Sequence, residues 1–234
     1  MGRRREGRER PARVAFATGR REGILKLHGY FRSAAAYRVR IALNLKGVAA
    51  EHISQHLRRG EQRDPSYLAL NPQGLVPTLV LDDGRALTQS LAIIEWLDET
   101  HPEPPLLPAD PFARARVRAV ALALAADTHP LQNLRVLQRL REMLPGEKAA
   151  TAWAASVNAE GLTACEAMVA AEPGPFCFGP APTLADICLV PQLGNARRFG
   201  VDVSPFRRLL EAEAAAKALP AFAEAEPERQ SDAE

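Results

Sequence analysis

The first residue along the chain whose type and position could serve chemistry is a serine at the start of an amphipathic segment. Ser33 stands between a short strand-like pattern and an apolar stripe with helical spacing, so its hydroxyl should lie at a helix N-terminus. Free N–H groups and the helix dipole favour negative charge at such a point. The hydroxyl can cap the helix, or it can donate a hydrogen bond to a bound thiolate. Both interpretations stay open from position alone.

Two further corners carry polar groups in a similar setting. The Val76-Pro77 bond enters a predicted strand after a short loop, where a cis proline would expose the Val76 backbone for pairing with an extended peptide. Most X-Pro bonds are trans, so an ordinary turn is the alternative. Gln89-Ser90 offers an amide and a hydroxyl at a second helix start, a combination suited to a carboxylate.

Hydrophobic periodicity predicts the elements that position these corners. The expected elements are a strand over Ile24–His28, a helix ending near Lys46-Gly47, strands over Glu51–His56, Thr78–Leu81 and Arg85–Thr88, and a helix from Gln89-Ser90 to His101-Pro102. The βαβ unit implies a parallel strand pair with a right-handed crossover. Asp82-Asp83-Gly84 is a hairpin-turn signal between the last two strands. The order βαβ and then ββα describes a thioredoxin-like module.

The second half of the chain differs in character. Five prolines within 102–111 indicate a linker, and the sequence beyond it is helical in pattern. Pro130 should kink or split one helix, because proline removes a backbone hydrogen bond. Thr183-Leu184-Ala185-Asp186 is a capping-box-like start before an apolar run. We therefore expect an extension at 1–22, a thioredoxin-like ligand-binding domain at 23–102, a linker at 103–110 and an all-helical domain at 111–228.

Composition narrows the function classes. Hydrophobic residues make up 47% and charged residues 25%, as in a globular protein. No apolar run approaches the roughly 18 to 20 residues that span a bilayer, so no membrane partner is expected. Residues 1–22 hold eight arginines against three glutamates within a total net charge of +2. The remainder is slightly acidic, which gives no reason to expect nucleic acid as a partner.

The basic start of the chain and the cysteines bear on location. A disordered extension or an early start codon is the preferred interpretation of residues 1–22, and a polybasic arm for nucleic acid or membrane is the alternative. Cys165, Cys177 and Cys188 are odd in number and lack metal-ligand spacing. Reduced thiols in the cytoplasm, without a metal site, are the expectation.

Several segments together resemble one family over about residues 24–225. They are Tyr30-Phe31-Arg32-Ser33, Arg38-Val39-Arg40-Ile41-Ala42-Leu43, Ala69-Leu70-Asn71-Pro72-Gln73, Val76-Pro77-Thr78-Leu79, Gln89-Ser90-Leu91-Ala92-Ile93-Ile94-Glu95, His129-Pro130-Leu131-Gln132-Asn133 and Ala185-Asp186-Ile187-Cys188-Leu189-Val190-Pro191-Gln192. The chain thus resembles the cytosolic glutathione transferases of the zeta class, which includes maleylacetoacetate and maleylpyruvate isomerases.

The resemblance implies a fold, a cofactor and a reaction. The fold is an α/β thioredoxin-like N-terminal domain followed by an all-α C-terminal domain, in a homodimer. The cofactor is glutathione, whose thiolate adds to and leaves a cis double bond of a maleyl diacid. The implied contacts are Ser33 at the sulfur, Val76 at the cysteinyl backbone, Gln89 and Ser90 at the γ-glutamyl end, Gln62 at the glycyl end, and Gln132 and Asn133 over the peptide.

The diacid substrate that the resemblance implies calls for arginine, whose guanidinium matches a carboxylate. Arg32 precedes the corner serine, Arg135 follows Gln132-Asn133, and Arg198 ends a segment that matches the family's Ala-x-Arg-Phe. Each is a candidate substrate ligand, and a solvated surface charge is the alternative. His129 is either a structural histidine or a glutathione contact.

One departure from the family keeps other functions open. The family carries Ser-Ser-Cys at the first corner, whereas this chain has Ser33-Ala34-Ala35. One alternative is a transferase that conjugates electrophiles or dehalogenates small halo-acids. The other is a noncatalytic glutathione-fold module for protein contacts, which the alanines favour and the retained Val76-Pro77, Gln89-Ser90 and Arg198 oppose.

Overall fold

The computed structural model describes residues 24–144 and 147–234, so the predicted extension at 1–22 lies outside the described residues. The first half of the described chain is a four-stranded sheet with helices. Its elements are β1 (Leu25–Gly29), α1 (Ala34–Lys46), β2 (Ala50–Ser54), α2 (Pro65–Leu68), β3 (Thr78–Val80), β4 (Ala86–Thr88) and α3 (Ser90–Thr100).

The sheet has the strand order β2-β1-β3-β4. β1 and β2 run parallel with Leu27 opposite His52, and β3 and β4 form the predicted antiparallel hairpin. β2 ends at Ser54, two residues before the predicted end, because the His56 N–H donates to the Glu61 carboxylate at 2.6 Å instead of a neighbouring strand. The thioredoxin-like order is confirmed, and the bounds of the other three strands differ from the prediction by one residue.

The second half is helical throughout its described part. Its helices are α4 (Pro111–Leu122), a π-helical turn (Ala123–Thr128), α5 (His129–Leu131), α6 (Leu134–Met143), α7 (Glu147–Val169), α8 (Leu184–Arg198), α9 (Arg207–Lys217) and α10 (Pro220–Ala223). The predicted split at Pro130 is confirmed: the chain turns after Leu131, and Asn133 caps a new helix. None of the described helices is long and apolar enough to cross a membrane.

One apolar core joins the two halves. α1 packs against α3 on one side and against α8 on the other. Ile41 of α1, Ile93 of α3 and Ile187 of α8 are all fully buried in this core. The three cysteines are buried and unpaired as well. Because α1 is held between both halves, the position of its N-terminus is set by the whole core.

The proline-rich segment between the halves is anchored rather than free. The Lys46 ammonium donates to the Asp98 carboxylate at 2.7 Å and to the Pro104 carbonyl at 2.6 Å. The same Asp98 oxygen accepts the Leu106 N–H at 2.8 Å. A side chain as buried as that of Lys46 needs such partners. These bonds tie the segment to the end of α3.

The last residues of the chain return to the sheet, which the sequence patterns did not indicate. The Asp232 carboxylate accepts the Phe31 N–H at 3.1 Å and the Ser54 hydroxyl at 2.9 Å. The Glu234 carboxylate meets the His56 ring at 2.5 Å. The C-terminal residues thus cover one side of the turn between β1 and α1.

The capping box predicted at the start of α8 is present. The Thr183 hydroxyl accepts the Ala185 N–H, and the Asp186 carboxylate accepts the Thr183 N–H at 2.8 Å. Asp186 also accepts the Cys177 N–H at 2.8 Å and is fully buried. One carboxylate therefore satisfies buried donors from a preceding loop and from the helix start.

Replacing Asp186 by alanine should lower the free energy of unfolding by about 3 kcal/mol, because each buried donor left without a partner costs roughly 1 to 3 kcal/mol. Chemical denaturation followed by circular dichroism would measure the change. Asp110→Ala is the matched control, since Asp110 caps α4 in an exposed position and should cost only about 1 kcal/mol. Equal losses in the two variants would contradict the role of burial.

Candidate active site

A cavity of about 700 Å³ lies between the sheet half and the helical half. Its walls are the turn after β1, the loop after β2, the turn before β3, the α5–α6 region and the end of α8. Of the sequence-predicted site residues, those that line it are Arg32, Ser33, Gln62, Val76, Gln132, Asn133, Arg135 and Arg198. Gln89 and Ser90 are not part of its lining.

Ser33 is a helix cap, and its hydroxyl keeps a hydrogen that is free to donate. It is the N-cap of α1, and its hydroxyl oxygen accepts the Ala36 N–H at 3.2 Å. A hydroxyl has one hydrogen and two lone pairs, so the cap leaves the O–H free to donate. The N–H groups of Ala34 and Ala35 belong to the first turn of α1, whose donors have no partner within the helix. The cavity therefore meets a hydroxyl and a helix N-terminus together.

The corner at β3 and the loop after β2 bring backbone and amide groups to the same cavity. The Val76–Pro77 bond is cis, so the first of the two interpretations holds. Gln62 lies in a short helical turn packed closely on Gly74, where an added Cβ would stand 3.0 Å from the Gln62 carbonyl oxygen. The Gln62 side-chain oxygen is buried without a partner among the described residues. Both residues face the cavity from the sheet half.

Gln89 and Ser90 stand at the start of α3. Gln89 is exposed, has a φ of 69° and donates from its amide to the Gln73 side chain at 2.8 Å. Such a φ is uncommon outside glycine and marks a constrained backbone. Ser90 is the first helical residue, and its hydroxyl accepts from the Arg38 guanidinium at 3.5 Å. Ser90 is thus not itself the cap of α3, because Gln89 holds the cap position.

Three arginines of the cavity wall lack an acidic partner. Arg32, Arg135 and Arg198 form no ion pair with a carboxylate of the described residues. Arg198 is oriented by a bond to the Asn195 side chain at 2.8 Å and lies over the Phe199 ring. Arg198 is accessible to solvent. The surrounding protein nevertheless lowers the pKa of its guanidinium, first because burial removes hydration and then because Arg32 and other cations lie nearby. The cavity is thus strongly electropositive.

His129 is held as a neutral ring at this wall. Burial lowers its pKa to about 3, and the charges of Arg38 and Arg198 add to the effect. A neutral imidazole offers one donor and one acceptor. His129 therefore contributes hydrogen bonding to the cavity at neutral pH and no charge.

Gln132 and Asn133 form the part of the wall that comes from the helical half. Gln132 is buried, and its side-chain oxygen accepts from Asn158 of α7 at 3.4 Å. The Asn133 oxygen accepts the Arg135 N–H and so caps α6. Its NH₂ group stays available on the cavity side. The structural and the ligand-binding interpretation of Asn133 are therefore compatible.

Sequence reasoning missed several residues that line the cavity, and Tyr30 and Arg58 are the two that bear on its chemistry. Tyr30 lines it with a buried hydroxyl that has no partner among the described residues. Burial raises the pKa of this phenol, so it remains a donor at neutral pH. Arg58 approaches from the loop after β2. The only signal for it was the density of arginines in 58–63, which a solvated loop explains equally well.

Within the described ranges, the placement of acidic, histidine and cysteine side chains does not suit a metal ion. No group of three or more His, Cys, Asp or Glu side chains there is placed to hold a metal ion. The donors that the cavity does offer are hydroxyl, amide, guanidinium and backbone N–H groups. These bind carboxylates and other anions.

Comparison with known proteins places this cavity in a family. Residues 27–105 match the glutathione S-transferase N-terminal domain. A maleylpyruvate isomerase of a Ralstonia species is 46% identical over 89% of this chain and 99% of its own length. The holo structure of a bacterial maleyl pyruvate isomerase of the zeta class superposes with a TM-score of 0.86, at 45% identity, over 89% of this chain and 100% of that one.

A second solved structure carries the ligand. The maleylacetoacetate isomerase of Anaeromyxobacter dehalogenans, crystallised with glutathione in its active site, is 48% identical with a TM-score of 0.83, over 90% of this chain and 98% of that one. A likeness over 90% of this chain extends into both halves of the described fold. The chain therefore belongs to the zeta-class glutathione S-transferases, in the group of maleylpyruvate and maleylacetoacetate isomerases.

Proposed function

We propose that the chain catalyses the glutathione-dependent cis–trans isomerisation of a maleyl diacid, maleylacetoacetate or maleylpyruvate, to its fumaryl isomer. The observation that carries the proposal is the cavity itself, where arginines without acidic partners surround a hydroxyl at a helix N-terminus. Anionic ligands are the groups that such an arrangement stabilises. The similarity to isomerases, one of them with bound glutathione, supports the same assignment.

The residues present fit glutathione as the cofactor. The buried side-chain oxygen of Gln62 has no partner among the described residues, and an N–H group of a polar tripeptide would satisfy it. We assign the cofactor to Ser33, Gln62, Val76, Gln89, Ser90, Gln132 and Asn133. For Gln89 and Ser90 the support is the family motif and the start of α3 rather than the cavity lining.

Bound glutathione supplies a thiolate that adds reversibly to the conjugated double bond, so that the bond can rotate before the sulfur leaves again. Ser33 donates its hydroxyl hydrogen to that sulfur, and the α1 N-terminus adds backbone N–H groups. A free thiol has a pKa near 8.5. Lowering it by one unit requires about 1.4 kcal/mol of stabilisation of the anion, within the range of a hydrogen bond to a charged group.

The arginines orient the substrate and stabilise charge that develops during the reaction. Arg198 is held by Asn195 and Arg32 lies beside Ser33 in the chain, so both can meet carboxylates near the sulfur position. Arg135 contributes from α6 on the opposite side. Preorganised cations in a partly buried cavity lower the energy of a developing anion without reorganisation. A neutral His129 leaves this positive field to the guanidinium groups.

We propose further that the chain is a cytoplasmic homodimer. Three buried unpaired thiols suit a reducing compartment. On α4 an exposed apolar stripe runs through Phe112, Ala115, Ala119 and Leu122, with 74% of Phe112 accessible. Their spacing places them on one face of the helix. An apolar face of this kind is typical of a subunit contact.

The purified chain should bind reduced glutathione saturably in calorimetry and should turn over maleylpyruvate or maleylacetoacetate in an absorbance assay. Absence of glutathione binding would refute the proposal. Binding without turnover would favour the noncatalytic module. Chloride release from dichloroacetate, with neither diacid isomerised, would favour the dehalogenating transferase.

Replacing Ser33 by alanine should lower kcat/KM for isomerisation by roughly 10- to 100-fold, since a hydrogen bond to a charged group contributes about 1.5 to 3 kcal/mol. Ser33→Thr keeps the hydroxyl and is expected to retain most of the activity. The pH dependence of the thiolate absorbance, measured with bound glutathione, should shift to a higher pKa in Ser33→Ala. Unchanged turnover would assign the sulfur to backbone donors alone.

For the dimer, sedimentation velocity should give twice the monomer mass for the wild-type chain. Ala119→Asp introduces a charge at the centre of the α4 stripe and should shift the chain toward monomer. Ala214→Asp, at an exposed position of α9, is the matched control and should leave the dimer intact. A monomeric wild-type chain would contradict this part of the proposal.

A further inference from the structure

A line of three buried amide side chains leads from the helical core to the cavity wall. Gln192 of α8 and Asn158 of α7 are completely buried, and Gln132 is 3% exposed. The Gln192 amide donates to the Asn158 oxygen at 2.7 Å, and the Asn158 amide donates to the Gln132 oxygen at 3.4 Å. Burying polar side chains costs free energy. Since apolar side chains would fill the core at lower cost, a line of amides that ends at a ligand cavity points to a role beyond packing.

One backbone carbonyl determines the direction of the whole line. The Asn158 NH₂ group also donates to the Ala154 carbonyl one turn earlier in α7, at 2.6 Å. If the nitrogen and oxygen of Asn158 were exchanged, two oxygens would face each other at that distance. The oxygen of Asn158 must therefore point to Gln192 as an acceptor, and its second N–H must point to Gln132.

The direction passes to the cavity through Gln132. Since the Gln132 oxygen is engaged by Asn158, its NH₂ group is the part that remains to face the cavity. The segment is also pressed onto α7: a Cβ at Gly161 would stand 2.0 Å from the Thr128 hydroxyl, so glycine allows the close approach. Thr128 lies one turn before Gln132, so this approach holds the amide in place.

We infer that Asn158 and Gln192 are positioning residues that keep Gln132 oriented as a hydrogen-bond donor toward a carboxylate of the bound cofactor. The inference rests on the proposed function, because it takes glutathione as the ligand that Gln132 meets. A glutamine free to rotate would present its oxygen to the carboxylate in half of its orientations and repel it. The line of Gln192, Asn158 and Gln132, which we call the amide relay, fixes the orientation of the Gln132 amide before the ligand arrives. This preorganisation lowers the free-energy cost of binding.

The alternative is that Asn158 only fills the core, and a binding experiment separates the two roles. Asn158→Leu keeps the volume and removes the donor to Gln132. The glutathione Kd from calorimetry should rise about tenfold, the effect of one hydrogen bond to a charged group. KM for glutathione should rise in parallel, with kcat at saturating glutathione within about twofold of the wild type.

Leu162→Ala is the matched control, because Leu162 is a fully buried apolar residue one turn along α7. It should lower Tm and leave the glutathione Kd unchanged. The decisive comparison is the double variant Asn158→Leu with Gln132→Met. If Asn158 acts through Gln132, the double variant binds glutathione as Gln132→Met alone does. Losses that add would overturn the inference.

Gln192→Met keeps the side-chain length and tests the far end of the relay, including the case in which Asn158→Leu fails to fold. We expect it to weaken glutathione binding about threefold. Unchanged binding by both relay variants, beside a wild type that binds, refutes the inference alone. A wild-type chain that binds no glutathione removes the proposed function and this inference together.

Discussion

The position of the α1 N-terminus is the constraint on which the rest of the structure depends. β1 delivers the chain to Ser33 through a turn in which an added Cβ at Gly29 would stand 3.2 Å from the Ala36 Cβ, so strand and helix lie close together. Arg40 of α1 ties the helix to the C-terminal region, because its guanidinium donates to the Ala225 carbonyl at 3.0 Å. The same guanidinium donates to the Phe31 carbonyl, in the turn before α1, at 3.0 Å. Contacts from distant parts of the chain therefore hold the first turn of α1 where a ligand can meet it.

The same packing leaves positive charge in and behind the cavity. Arg38 is fully buried in α1, and two of its nitrogens have no partner among the described residues. Burial lowers its pKa, yet the guanidinium stays charged at neutral pH. An unpaired buried cation destabilises the folded chain unless an anion approaches. Together with the arginines of the wall, it makes the cavity more favourable to anionic ligands than to neutral ones.

The sequence was sufficient for most of the elements, because they follow from local rules. The helical spacing of apolar residues in α1, the turn signal at Asp82-Asp83-Gly84 and the capping box at Thr183 depend on neighbouring residues only. The three corners of the proposed site could be placed because each lies at an element boundary. Their chemical type was visible in the same residues.

What the sequence could not predict depends on contacts between distant residues. The contact between Asp232 and the Phe31 N–H joins positions separated by 201 residues, and no periodicity encodes it. The amide line from Gln192 to Gln132 spans α8, α7 and the turn after α5, so no local sequence pattern indicates that its residues are connected. The exposed backbone of Gln89 depends on a φ that no residue type requires.

Two alanines, Ala34 and Ala35, stand where the family has its second serine and its cysteine. A side-chain donor is lost at Ala34 and a thiol at Ala35, but their backbone N–H groups are donors whatever the side chain is. Their placement depends on the packing of α1 between the two halves, in which Ala34 is buried and Ala35 half-buried. The Ser33 hydroxyl, kept in orientation by its own capping bond to the Ala36 N–H, adds one side-chain donor to that set. The anion site that we propose at this corner thus rests mainly on backbone N–H groups and core packing, and only to a small part on the side chains that follow the serine.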